Sequence, residues 1–224
     1  MNTELPQTLF SIYNLLLADY GKQGWWPSPG PFETIVGAIL TQGVTWKNVE
    51  PAISALNEAG LMQPQVLART THEKIAALIR PCGYYNEKTK RLKAFLHFLA
   101  KHHHNDLAHL FNLPIADLRH QLLSVSGIGE ETADTIILYA ALKPSFVIDT
   151  YTKRIFNRLG LLEPSASYSQ AQSLFMDNLP LDVGLYNEYH ALIVQHGKRR
   201  CRSLPNCDGC PLKRLCQFTS WGQT

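Results

Sequence analysis

The chain has 224 residues, 45% of them hydrophobic and 17% charged, with a formal net charge of +3. That is enough apolar material for one large domain or two small ones, and it excludes a disordered or fibrous chain. Residues 1–6 carry neither a basic start nor an apolar run, and stretches such as Ile35 to Leu40 fall far short of a membrane span. Neither a secretion signal nor a transmembrane helix is expected.

In chain order, Leu9 to Leu17, Phe32 to Leu40, Val49 to Leu56, Ile75 to Ile79, Lys88 to Leu99 and Thr132 to Ala141 carry apolar residues at helical spacing. Prolines, Pro27, Pro29 and Pro31 among them, fall mostly between these segments, as helix breakers do. No alternating strand pattern of useful length occurs, so the chain reads as all-α. Lys88, Lys90, Arg91 and Lys93 form a basic run, a solvated face or a phosphate contact. His102 to His104 lie in the polar stretch KHHHND and are expected in an exposed loop.

Cys201, Cys207, Cys210 and Cys216 follow the spacing C-x5-C-x2-C-x5-C. Four thiolates so spaced can converge on a tetrahedral zinc or an iron–sulfur cluster. Two disulfides would suit a secreted chain, which the rest of the sequence does not suggest. Cys82, in RPCGYYN, reads as a small buried residue. Lys198, Arg199, Arg200, Arg202, Lys213 and Arg214 crowd the cysteine segment against one acid, Asp208. Basic clusters framing a metal module commonly meet phosphates.

From Leu122 the sequence runs LLSVSGIGEETADTIILYA. Gly127, Ile128 and Gly129 interrupt the apolar stretch, and a helix restarts behind them. Two glycines one residue apart permit a tight turn with positive φ and leave backbone N–H groups uncovered at a helix start. A phosphate can be held there without any base being read; an ordinary helix–helix turn would use the same residues. Asp149, in PSFVIDTYTKR, follows a short apolar run and precedes a helix. It can cap that helix, serve as a rigidly held catalytic carboxylate, or do both.

GIGEETAD, VIDTYTKR and HGKRRC with the four cysteines, in that order and over nearly the whole chain, resemble the helix-hairpin-helix superfamily of base-excision DNA glycosylases, endonuclease III type. WWPSPGPFETIVGAILTQGVTWKNVE and RPCGYYNEKTKRL are similar to its type III 3-methyladenine DNA glycosylase and endonuclease III-related subfamily. The resemblance implies a two-lobed all-α fold. A helical barrel lobe would span 30–143 and carry the hairpin. A discontinuous lobe, 1–29 and 144–224, would hold a [4Fe–4S] cluster on Cys201, Cys207, Cys210 and Cys216 in the loop 201–216. It also implies a monomeric, cytoplasmic enzyme acting on double-stranded DNA that contains a damaged base, with no membrane partner. Gly127, Ile128 and Gly129, with Lys213 and Arg214, would hold phosphates. Gln42 would fill the gap left by the flipped nucleotide, and Asp149 would be the catalytic carboxylate.

The sequence departs from the family pattern in three places. The first cysteine gap is x5 where x6 is usual, and Gly43 stands where asparagine usually follows ILTQ. Glu131 occupies the position where bifunctional members carry the lysine that attacks sugar C1′. A carboxylate forms no imine, so β-elimination by that route is lost. Glu131 is then either a second catalytic-pocket acid or, with Glu130, a helix-start acid favoured by the dipole. The expected reaction is hydrolytic release of an alkylated purine such as 3-methyladenine, with ionised Asp149 opposing the cationic sugar and orienting water. A base that is already cationic needs no second acid, and Trp25, Trp26 and Trp46 would offer it aromatic faces. Two alternatives stay open: a bifunctional glycosylase and abasic-site lyase on oxidised pyrimidines, using Lys143, Lys153 or Lys198, and a non-catalytic DNA-binding module.

Overall fold

A computed structural model of the chain describes residues 4–26 and 30–218. Pro27 and Pro29, and residues 1–3 and 219–224 of the expected second lobe, lie outside them. Among the described residues all regular structure is helical: α1 (Glu4–Tyr20), α2 (Pro31–Leu40), α3 (Trp46–Glu58), α4 (Pro64–Arg69), α5 (His72–Leu78), α6 (Tyr85–His103), α7 (Leu107–Phe111), α8 (Ile115–Leu123), α9 (Glu130–Thr135), α10 (Thr150–Arg158), α11 (Tyr168–Met176) and α12 (Val183–Arg199). A 3-10 turn, Arg80–Cys82, precedes α6, and a π-helical stretch, Ile136–Ala140, continues α9. Two compact units result, Trp26–Lys143 and Met1–Trp25 with Pro144–Thr224, dividing between the tandem tryptophans. No described helix is long and apolar enough to cross a membrane.

The Trp26–Lys143 unit is built round α2, which buries Phe32 and every residue from Thr34 to Leu40. A helix apolar on all sides must be surrounded, and α3, α6 and the π-helical stretch pack on it. The segment read as one helix over Thr132 to Ala141 therefore has two geometries, α then π. Helical periodicity does not separate them, and π turns recur at functional sites.

Two members of the basic run, Lys88 and Lys93, close helix ends instead of facing solvent. Lys88 is buried and donates to the carbonyls of Leu40 at 2.8 Å and Cys82 at 2.7 Å, with burial lowering its pKa. Lys93 donates to Ala68 O at 2.8 Å and to the carbonyls of Leu67 and Thr70, closing the end of α4. Ammonium groups satisfy helix-end carbonyls that have no partner within the helix. Lys90 alone of the four follows the solvated reading, beside Glu87 at 2.6 Å. The histidine tract also departs from the expected loop: His102 and His103 form the last turn of α6, and His103 is buried.

In the other unit α12 packs against α1 and α10. Its core is aromatic: Phe146 and Phe175 stack at 3.8 Å, and Phe156, Tyr186 and Tyr189 meet them edge-on. Truncating one of these buried phenylalanines to alanine costs about 3–5 kcal/mol. Caps fix the helix starts: Asp149 on α10, Asp182 on α12, and a Ser167–Gln170 capping box on α11. Gly197 lets α10 close on α12, because a Cβ there would lie 2.3 Å from Tyr151 Cδ1.

Candidate functional site

Asp149 sits at the N-cap of α10, where its Oδ1 accepts from Thr152 N at 2.7 Å and Thr152 Oγ1 at 2.8 Å. His190, on α12, places Nε2 3.6 Å from Oδ2, with the two side chains 7% and 10% exposed. That spacing is an ion-pair distance rather than a direct hydrogen bond. Burial pushes the Asp149 carboxyl up, but His190 and the two Thr152 donors outweigh it and hold the acid below its ordinary range. A carboxylate kept ionised in a nearly closed setting, with one oxygen occupied and the other beside an imidazole, suits work on developing positive charge. Trp25 lies over His190, with ring centroids 5.9 Å apart, and Lys198 Nζ lies 5.7 Å from the Trp25 ring.

The other tryptophans belong to the Trp26–Lys143 unit. Trp26 meets Trp46 edge-on at 5.1 Å and Tyr139, on the π-helical stretch, at 5.4 Å. The two tryptophan rings depend on Gly37: a Cβ there would come 3.0 Å from Trp26 Cζ2 and 3.3 Å from Trp46 Cζ3. Sequence reasoning missed Tyr139 and Gly37; a glycine inside an otherwise apolar helix was the available signal.

In the hairpin, Gly127 takes φ +86°, which favours glycine, whereas Gly129 is extended at φ −92° and needs no such freedom. The double-glycine argument therefore holds at Gly127 alone. Arg91 lies against Gly127, where a Cβ would fall 2.3 Å from Arg91 Cγ. Gln42 binds the same turn: its Nε2 donates to Gly127 O and Thr132 Oγ1, each at 2.9 Å, and Arg91 donates to its Oε1. Ile128 is buried beneath the turn. Glu131 is exposed in the first turn of α9, and Arg119 grips the buried Asp134 through Nε and Nη2 at 3.0–3.2 Å. Tyr84 was also missed: it is 77% exposed and left-handed at φ 47°, at the start of α6. Backbone strain of this kind in a non-glycine residue concentrates at functional positions.

The four cysteines line one cavity of about 800 Å³ within their own unit, and none is in a disulfide. Burial raises the Cys210 thiol, and Cys201, Cys207 and Cys216 raise it further. Mutual repulsion of this kind is relieved by a bound cation, and an all-thiol set is what iron–sulfur centres take. Among the described residues no three His, Cys, Asp or Glu side chains converge tightly enough to hold a single ion. Helix α10 organises the loop. Arg154 Nε donates to Cys201 O at 2.8 Å, and Arg158 donates to Cys201 Sγ at 3.2 Å and to the carbonyls of Arg202 and Ser203. The helix that Asp149 caps thus also carries the cysteine loop. Lys213 and Arg214 are exposed. Of the lysines considered for imine chemistry, Lys143 is bonded to Leu113 O at 2.6 Å and Lys153 to Ala166 O at 3.1 Å.

Residues 36–181 match the family model for the HhH-GPD superfamily base excision DNA repair protein. The chain is 45% identical over 212 residues to MJ1434 of Methanocaldococcus jannaschii, assigned as a DNA repair glycosylase, covering 94% of this chain and 96% of that one. It is similar in structure to the H. pylori 3-methyladenine DNA glycosylase MagIII bound to 1,N6-ethenoadenine, with TM-score 0.71, 27% identity, and 88% and 97% of the two chains covered. A trapped endonuclease III–DNA covalent intermediate shares the fold, with TM-score 0.82, 21% identity and 95% of each chain covered.

Proposed function

The chain belongs to the HhH-GPD superfamily of base excision DNA repair proteins and is a DNA repair glycosylase of that group; on that premise we propose that it hydrolyses the N-glycosidic bond of an alkylated purine, such as 3-methyladenine, in double-stranded DNA. The observation that carries this reading is Asp149, half-buried, held by Thr152 and beside His190, with its carboxyl kept below the ordinary range. Its Oδ1 is occupied by Thr152, which leaves Oδ2 for chemistry. As the bond to the base lengthens, positive charge grows on the sugar. The carboxylate opposes that charge, then takes the proton of the attacking water.

The alkylated-purine reading rests on electron-rich rings and on a mechanism in which an already cationic base needs no second acid. Trp26 and Trp46, both half-buried, supply rings that attract a cationic base, with the buried Tyr139 packed against Trp26; in the other unit Trp25 lies beside His190. The ethenoadenine bound by the H. pylori relative, a modified purine, supports the same class. With Glu131 in place of the imine-forming lysine, excision ends at an abasic site. Glu131, exposed at the start of α9, contributes to recognition rather than to bond cleavage.

The hairpin Gly127–Ile128–Gly129, steadied by Gln42 and Arg91, contacts the phosphate backbone. Tyr84, exposed in a strained conformation, enters the base stack when the target nucleotide is flipped. Cys201, Cys207, Cys210 and Cys216 fit a [4Fe–4S] cluster, whose bonds would cross-link the loop that carries Lys213 and Arg214 to phosphates. The enzyme acts as a monomer in the cytoplasm.

A second reading, with lyase activity, rests on Lys198, which sits over Trp25 beside the Asp149–His190 pair. Borohydride trapping on an abasic-site duplex separates the two. No covalent adduct is expected; an adduct that disappears in Lys198→Ala would replace the monofunctional reading with this one.

A further inference from the structure

At the C-terminal end of α6, far in sequence from the cysteines and the hairpin, His103 Nδ1 and His109 Nδ1 face each other 2.9 Å apart. The His103 ring is fixed. It is buried, it lies 5.3 Å from the Phe98 ring, and its Nε2 is 2.7 Å from Gln121 Oε1. A carboxamide oxygen only accepts, so Nε2 carries the ring hydrogen and the Nδ1 lone pair points at His109. An imidazole oriented by a hydrogen bond from its second nitrogen is the usual state of a metal-binding histidine.

We propose that His103 and His109 form a binding site for a borderline divalent transition metal, with His104 as third ligand, tying the end of α6 to α7. Metal–nitrogen bonds of about 2.0–2.1 Å at a tetrahedral angle put two ligand nitrogens about 3.3 Å apart. The observed gap needs to open by only a few tenths of an ångström. His104 is the α6 C-cap, exposed, with its ring 6.2 Å from that of His109; it does not converge with the pair as placed and would join as third ligand through a rotamer change. His109 is itself exposed on α7, which leaves the ion a route in and a coordination position for water. The carbonyl end of a 19-residue helix adds favourable potential for a cation. Imidazole ligands without thiolate select Zn²⁺, Ni²⁺, Cu²⁺ or Co²⁺ over Mg²⁺ and Ca²⁺.

The test uses Ni²⁺ alone and the full-length, untagged protein with its own cluster content unchanged. Equilibrium dialysis should show one saturable Ni²⁺ per chain, and the thermal midpoint should rise with the logarithm of free Ni²⁺. His109→Gln, an exposed position that need not disturb folding, should abolish both effects. His72→Gln, on α5, should leave both intact, and Mg²⁺ should have no effect. Absence of saturable Ni²⁺ binding, or binding that persists in His109→Gln, would overturn the assignment and leave the pair a simple imidazole–imidazole hydrogen bond. Base-release activity measured on the same samples keeps this outcome separate from the glycosylase reading.

Discussion

Asp149→Asn isolates charge from structure at the position on which the proposed chemistry depends. Asparagine caps helices as well as aspartate does, so its Oδ1 can keep the 2.7 Å and 2.8 Å bonds from Thr152 and α10 should start unchanged. What disappears is the negative charge. A unit charge about 4 Å from the developing cation, at an effective dielectric constant near 20, contributes about 4 kcal/mol. That corresponds to roughly a thousandfold in rate. The environment favours the ionised carboxyl, so the variant also loses some stability at neutral pH. The folded pKa lies below the ordinary value of an aspartate, so this stability is present above that ordinary value and fades as pH falls through the lower folded pKa. The stability gap between wild type and variant should therefore close in acid. Single-turnover release of 3-methyladenine from a matched duplex, beside thermal unfolding from neutral pH to below pH 4, reads both effects. Turnover within about threefold of wild type would refute the electrostatic role.

His190→Gln removes the imidazole beside Asp149 Oδ2 and should slow base release by about tenfold with DNA affinity unchanged, measured by single-turnover kinetics and filter binding. Gly37→Val crowds Trp26 and Trp46, so excision of the alkylated purine should fall far more than duplex binding. Equal losses of both would remove the aromatic recognition argument. Cys207→Ser should lose visible iron–sulfur absorbance and bound iron, and weaken DNA binding in a salt-dependent way, because Lys213 and Arg214 lie on the same loop. Arg91→Ala frees Gln42 and the Gly127 turn and should weaken binding to undamaged and damaged duplex alike, read by titration at fixed salt.

The helices that carry long apolar stripes, α1, α2, α3 and α6, were legible, as were the hairpin and the cap at Asp149, because local spacing determines each of them. Short helices such as α4 and α7 were not, since six or five residues hold too little periodicity to register. The partners that set the chemistry were less legible still. His190 reaches Asp149 from another helix, and its signal was only that it is one of two histidines, with His196, buried on α12. Lys88 and Lys93 read as a solvated face or a phosphate contact because acceptors such as Leu40 and Ala68 lie 48 and 25 residues away. Arg154 and Arg158 look like ordinary helix charges until the fold brings the cysteine loop beneath them. Tyr84 carried a faint mark, an aromatic directly after a glycine, and its exposure exists only in three dimensions.

The most direct measurement follows products from matched duplexes carrying either 3-methyladenine or thymine glycol, with strand scission scored before and after alkali. Hydrolysis by Asp149 at an alkylated purine should give free 3-methyladenine and nicks only after alkali, with thymine glycol untouched. Nicks without alkali, or release of the oxidised pyrimidine in preference, would contradict it.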